Sequence, residues 1–179
     1  MVQHCTLSGT LDRGGWKDEL GGTSNIHEHC DGTSGGSDYI EAGVEAEDDP
    51  SSPIVRTAKF TCTDVHLRTR PPSGHKIHLD CKIDTMGMGS TPTLGVALYD
   101  STTLIHSVTA VTVSTSRTTP QISISEANAL KIGNYNNLRL WLTATLNDMS
   151  DAVIVYNVRL ELPDVLADTQ SAFALFTEL

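Results

Sequence analysis

Basic residues are scarce in this chain, and their scarcity excludes two kinds of partner. The 179 residues include 12 Lys and Arg against 22 Asp and Glu, which gives a formal net charge of −10. A phosphate backbone repels such a charge, so we expect no binding to nucleic acid. No polybasic stretch is available to bind an anionic membrane. The acidity favours solubility, and contact with a basic partner surface is the alternative interpretation.

Long apolar runs are also missing. None approaches the ~20 residues that a membrane span needs. The first residues, MVQHC, lack the basic segment followed by an apolar stretch that marks a secretion signal. We therefore expect synthesis in a reducing, cytoplasm-like compartment.

The four cysteines lack the spacing of a metal or redox motif. Cys5, Cys30, Cys62 and Cys81 form no C-x-x-C pair and match neither a zinc ribbon nor a redox site. Cys62 and Cys81 fall in strand-like segments, which predicts small buried thiols. A bridge between Cys5 and Cys30 would need an oxidising compartment.

Glycine is concentrated near the start of the chain. Nine of the 14 glycines lie at or before Gly43. A glycine-rich segment buries little surface and loses much entropy on ordering. We therefore predict that residues 1–36 form an extended arm, with one short strand at 24–30, anchored by Trp16 and Ile26.

Alternation of apolar and polar residues dominates the rest of the chain. The clearest cases are residues 76–83 and 138–144, and a further run at 153–162 ends at Pro163. Eight or nine such strands, with no long helices between them, predict an all-β fold. We expect an antiparallel two-sheet β-sandwich, jelly-roll-like, over residues 37–163, with extended termini. Ser125 and the residues after it predict one short helix.

Residues 164–179 fall outside the strand pattern but are too apolar for a free tail. They either pack back on the domain as a short helix or dock on another chain. The apolar residues of this tail are Val165, Leu166, Phe173, Leu175 and Phe176.

No pattern of catalytic or metal-ligating residues stands out. On a strand, His27 and His29 share one face while Glu28 and Cys30 take the other, so the four do not converge. The acidic run before Pro50 lacks the alternation and glycine of a calcium loop. Nucleophile elbows, phosphate loops and dinucleotide fingerprints are missing. We expect no catalytic, cofactor-binding or metal residue and no enzymatic activity; carboxylates paired by the fold are the alternative that spacing leaves open.

The aromatic candidates for a sugar-binding surface are Trp16, Tyr99, Tyr135, Trp141 and Tyr156, and alternation gives a position for Trp141. It alternates away from the apolar face formed by Leu138, Leu140 and Leu142. It therefore either lies beneath the N-terminal arm or stands in solvent, where an aromatic ring on a sandwich can stack on a sugar.

Several short motifs, in order, carry a resemblance to a known group of proteins. Trp16 stands in a glycine-rich segment, followed by NIHE at 25–28, SDYI at 37–40, a helical turn at 123–130, LRLWLTA at 138–144 and VRLELP at 158–163. This order resembles small β-sandwich virion structural proteins of tailed bacteriophages, over roughly residues 16–163.

The resemblance implies a virion structural protein on the capsid surface, made in the host cytoplasm. It implies a decoration (cement) protein that binds the outside of the shell of major capsid protein and stabilises it, with contacts between copies of the chain. The alternative is a receptor- or carbohydrate-binding sandwich of a tail fibre. Arms that order on contact suit such a role. The predicted partner-binding residues are Trp16, Ile26, Val165, Leu166, Phe173, Leu175 and Phe176.

Overall fold

The computed structural model describes residues 2–30, 38–49, 51–63, 73–85 and 91–163. The five apolar tail residues predicted to bind a partner lie outside these described residues. In the described part of the chain, no helix is long and apolar enough to cross a membrane.

Strands make up most of the described chain. They are β1 (Val2–Cys5), β2 (Leu7–Asp12), β3 (Lys17–Asp18), β4 (Ile40–Gly43), β5 (Ile54–Cys62), β6 (Lys76–Asp84), β7 (Thr93–Asp100), β8 (Thr103–Val111), β9 (Gln121–Ser123), β10 (Leu138–Leu146) and β11 (Ala152–Pro163). The helical elements are α1 (Glu126–Ala129) and two 3₁₀ turns, Ile26–His29 and Tyr135–Asn137.

The strands form two sheets whose pairs are all antiparallel. One sheet has five strands in the order β2-β5-β10-β7-β8. The other has six, in the order β3-β4-β11-β6-β9, with β1 also paired to β11. The predicted all-β, jelly-roll-like sandwich of two antiparallel sheets is confirmed.

The core lies between the two sheets and is built by alternation. Along β10, every second residue from Leu138 to Leu146 is buried, and β6 repeats the pattern from Ile77 to Ile83. Because successive side chains of a strand point to opposite faces, each strand gives one row to the core. Fully burying one such Leu or Ile contributes roughly 1.5–3 kcal/mol.

The short helix forms where the sequence predicts it. Ser125 is extended, and its side-chain oxygen accepts a hydrogen bond from the Asn128 backbone N–H at 3.3 Å. This is N-capping, which satisfies a donor that the first turn leaves unpaired. The helix is only Glu126–Ala129 long and buries Ala129.

The N-terminal segment differs from the arm that the glycines predict. β1 and β3 belong to the six-stranded sheet and β2 to the five-stranded one, so the sandwich begins well before residue 37. The predicted strand at 24–30 is instead the 3₁₀ turn Ile26–His29, entered through Asn25 in the left-handed region (φ 54°). Since backbone hydrogen bonds of the turn run from Glu28 to Asn25, no strand ladder forms there.

Two glycines explain the difference, because they allow a tight turn and do not make the segment flexible. Gly14 and Gly15 have φ values of 50° and 84°. A Cβ on Gly14 would lie 1.8 Å from the carbonyl oxygen of Thr57, so only glycine permits this approach to β5. The turn places the side chain of Trp16 in the core. There the side chain is fully buried, and its Nε1 donates to the Arg56 carbonyl at 3.2 Å.

Trp16 should therefore contribute to the stability of the whole domain. We expect Trp16→Ala to lower the free energy of unfolding by about 3–5 kcal/mol, since it leaves a large cavity. Leu20→Ala in the same segment is the control, because Leu20 is 88% exposed; it should change stability by less than about 0.5 kcal/mol. Urea unfolding measures both. Equal effects of the two variants would mean that the N-terminal segment is not part of the core.

Candidate functional site

The outer face of the five-stranded sheet carries the most distinctive surface of the described chain. β10 places Trp141 opposite Ala97 of β7, and Thr143 opposite Gly95. These residues alternate with buried neighbours, so their side chains point away from the core. The small residues on β7 leave space beside the indole of Trp141.

Trp141 is held in place by its neighbours. Its ring stacks on Tyr99, with centroids 4.1 Å apart and an interplanar angle of 28°. On β5, the Lys59 ammonium lies 5.0 Å from the centroid of the indole and 2.9 Å from an Asp12 carboxylate oxygen. Offset stacking and a cation over the ring both stabilise one orientation of the indole.

A groove of about 310 Å³ runs along this face. Its walls combine one aromatic pair, small apolar residues and hydroxyl groups. The lining residues are Gly95, Val96, Ala97, Tyr99, Ser107, Val108, Thr109, Trp141, Thr143 and Thr145. Rings that stack and hydroxyls that donate or accept are what a sugar or another partly apolar ring needs. The Trp141 Nε1–H is buried and has no hydrogen-bond partner, so this donor is unused.

The outer face of the six-stranded sheet is polar and ion-paired. The Arg117 guanidinium lies 3.9 Å from the centroid of the Tyr156 ring, and its Nε donates to Asp80 at 2.6 Å. His78 contacts Glu161 at 2.7 Å. A second groove of about 310 Å³ lies here. Two of its lining residues, His78 and Asp80, are held by Glu161 and Arg117, which suits a solvated face better than a reaction centre.

A third hollow, of about 220 Å³, lies beside β3 and β4 and is rich in acidic groups. Lys17 spans it to contact Glu45 at 2.7 Å. Burial raises the pKa of Glu41, and the nearby Asp84 carboxylate raises it further. Its lining includes four acidic residues, Asp18, Glu19, Glu41 and Glu45, the residue type that sequence spacing left open for a carboxylate pair.

Two of the seven residues predicted to bind a partner lie in the described part of the chain. Trp16 and Ile26 are fully buried in the core, where they tie the N-terminal segment to the sandwich. The five tail residues lie outside the described part of the chain.

Trp141 matches neither of its two predicted positions fully, because it is half-buried. β2 extends the sheet alongside β5, so it does not lie across the face that carries Trp141. Sequence analysis named both Trp141 and Tyr99 as candidates but did not pair them, since only the register of β10 against β7 brings the two rings together.

The side chains of His27, His29 and Cys30 do not converge on one point, although the reason differs from the predicted one. His27 Nδ1 lies 3.1 Å from Thr10 Oγ1, whereas Cys30 is buried and its thiol donates to the Ile26 carbonyl. His29 turns instead towards Asp18 and Glu19. The 3₁₀ turn, rather than strand alternation, sends these side chains in different directions.

Comparison with known proteins gives no family assignment. No family model matches the chain, and no curated protein does. Among solved structures, the chain is similar to a Stig cyclase (Fisc) from Fischerella sp. TAU in complex with (3Z)-3-(1-methyl-2-pyrrolidinylidene)-3H-indole. The TM-score is 0.43 and the identity 14%, over 92% of this chain and 77% of the other. A likeness at this level carries no inference about activity.

The cysteines are free and buried, which confirms the prediction for Cys62 and Cys81. Burial raises the pKa of Cys81 to about 11. A hydrogen bond with the Cys5 thiol, together with burial, holds the pKa of Cys62 well above its usual range. The thiolate is the reactive form, so neither Cys62 nor Cys81 is set up as a nucleophile.

We therefore expect the four native thiols to resist a disulfide reagent such as DTNB at pH 8, and all four to react in denaturant. Burial blocks access to all four, and the raised pKa values of Cys62 and Cys81 further reduce their thiolate fraction. The measurement is thiol titration with and without guanidinium. Rapid release of one or more equivalents from the native protein would contradict this.

Proposed function

We propose that this protein is a structural protein of a tailed-phage virion, a decoration subunit that binds the outside of the capsid shell and stabilises it. The order of the motifs from Trp16 to Pro163 supports the proposal. The fold expected of that group, a sandwich of two antiparallel sheets, is the one observed. We also propose that the role is binding rather than catalysis and that the capsid surface is its location.

One geometric feature carries the proposal. Val2 pairs with Pro163, so β1 and the end of β11 lie side by side at one end of the six-stranded sheet. The last described residue, Pro163, therefore lies next to β1. We propose that this pole, defined by β1, Pro163 and the tail, faces the major capsid protein, and that the apolar tail residues make the contact.

Contacts between copies of the chain fit the sheet edges. β8 is the outermost strand of the five-stranded sheet and spans Thr103–Val111. Leu104 on this strand is 46% exposed. An edge strand presents unpaired backbone groups that can pair with another chain. Trp16 and Ile26 then act indirectly, because they anchor the strands β1, β2 and β3 in the sandwich.

The test is removal of residues 164–179. We expect the truncated protein to lose at least about 10-fold in occupancy on purified capsids, while its thermal unfolding is unchanged, since the deletion keeps β11 whole to Pro163 and leaves every described strand in place. Co-sedimentation with virions that lack the protein measures occupancy. A full-length variant with serine at all five apolar tail positions is the matched control for tail length and should behave like the truncation. Undiminished occupancy of both variants would overturn the proposal.

A second candidate function is favoured by the groove beside Trp141. The alternative to capsid decoration is a receptor- or carbohydrate-binding sandwich of a tail fibre, and it requires aromatic rings on an exposed face. Tyr99 and Trp141 supply a stacked pair, and Thr143 and Thr145 supply hydroxyls next to it. A pair of aromatic rings is worth roughly 0.5–1.5 kcal/mol beyond area burial, and we expect a sugar ring stacked on the indole to gain a similar amount.

Glycan binding would be lost on Trp141→Ala and largely kept in Trp141→Phe, because phenylalanine retains a ring for stacking. Val55→Ala is the control, since Val55 is 60% exposed on β5 and does not line the groove. A glycan array followed by fluorescence titration of the best hit measures the effect. We expect a loss of about 10-fold or more for the alanine variant. Unchanged binding by Trp141→Ala would remove this candidate.

A further inference from the structure

Three potential metal ligands from separate parts of the chain meet beside β4. Glu19 follows β3, His29 ends the 3₁₀ turn Ile26–His29, and Asp38 precedes β4. One ligand atom of each lies within 4.8 Å of the others. Across the described ranges, this is the one group of three or more His, Cys, Asp or Glu side chains that meets this spacing.

The contact between His29 and Glu19 does not have the geometry of a hydrogen bond. His29 Nδ1 and Glu19 Oε2 are 2.9 Å apart, yet neither atom has a hydrogen-bond partner, and both have almost no exposed surface. Two ligands that each bind one ion at about 2.1 Å are about 3.0 Å apart at an angle of about 90° and about 3.4 Å apart at the tetrahedral angle. The two atoms are therefore close to the spacing of neighbouring ligands of a common ion, and a small separation would bring them to the tetrahedral value.

The other ring nitrogen of His29 faces a carboxylate. Its Nε2 lies 3.8 Å from Asp18 Oδ2. Asp18 is fixed because its Oδ1 accepts from the backbone N–H groups of Leu20 and Gly22, at 2.9 and 2.6 Å. A Cβ on Gly22 would lie 2.2 Å from Asp18 Oδ2. At 3.8 Å the contact between His29 Nε2 and Asp18 is electrostatic and not a hydrogen bond, and the carboxylate charge there favours a proton on Nε2, which leaves Nδ1 to bind metal.

We infer that Glu19, His29 and Asp38 bind a divalent transition-metal ion, with Zn²⁺ the best match to one imidazole and two carboxylates. Glu19 also lines the hollow of about 220 Å³ beside β3 and β4, which gives the ion a path from solvent. Asp18, Glu41 and Glu45 line the same hollow and make it attractive to a cation.

The site would have a structural role. It joins the segment after β3 to the 3₁₀ turn and to the start of β4, and so links the N-terminal segment to the six-stranded sheet. The proposal departs from the sequence expectation of no metal residue. Glu19, His29 and Asp38 follow no metal-binding motif in sequence, because turns and strand order bring them together.

The experiment is Zn²⁺ titration of the intact, chelator-treated protein by calorimetry, with thermal unfolding measured in parallel. Saturating Zn²⁺ should raise the unfolding temperature by about 5 °C or more. We expect His29→Asn, Glu19→Gln and Asp38→Asn each to weaken Zn²⁺ binding by about 10- to 100-fold, and Asp18→Asn by about 10-fold. Ca²⁺ should bind much more weakly than Zn²⁺, because imidazole is a poor ligand for it.

His78→Asn is the matched control, since His78 also contacts a carboxylate, Glu161, at 2.7 Å but lies outside the trio. It should bind Zn²⁺ like the wild type. Co²⁺ in place of Zn²⁺ should show no thiolate charge-transfer band, which separates this site from the cysteines. The proposal is overturned if the wild type shows no Zn²⁺ dependence, as a simple ion pair of protonated His29 would, or if binding persists in His29→Asn.

Discussion

The architecture depends on the pairing of β11. This strand pairs with β6 along one side and, on the other side, with β4 at its start and β1 at its end. Between those two partners the Val158 N–H donates to the Cys30 carbonyl at 2.9 Å. One strand thus holds the first, middle and last parts of the chain in a single sheet, and nearly all of these pairs join residues far apart in sequence.

The alternation of residues that builds the core also determines which side chains lie on the two outer faces of the sandwich. On the five-stranded sheet, glycine and alanine on β7 leave the indole of Trp141 accessible along one side, and Tyr99 supports it from the other. The six-stranded sheet instead carries ion pairs such as Asp80 with Arg117. The two faces therefore differ in chemistry although their inner rows are alike, and a partner would distinguish them readily.

Sequence patterns predicted the strands with regular alternation and the helix with a capping residue. They failed where a positive φ or a turn determines the local structure. The buried rows of β6 and β10 and the capped helix after Ser125 could be read directly from residue types. The N-terminal segment could not, because glycine content alone does not distinguish flexibility from the positive φ that the turn at Gly14 and Gly15 requires. Nor could the stack of Tyr99 on Trp141 or the meeting of His29 with Glu19 be predicted. These contacts arise from strand register and from a turn, neither of which has a local signal.

The pairing of Val2 with Pro163 also has a consequence during synthesis. A ribosome makes β1 well before β11, so β1 has no partner on its own sheet until nearly all of the described strands have been translated. The hairpin of β7 and β8 can close much earlier, because only Ser101 and Thr102 separate its strands. The six-stranded sheet is therefore completed late, whereas part of the five-stranded sheet can form while the chain is still being made.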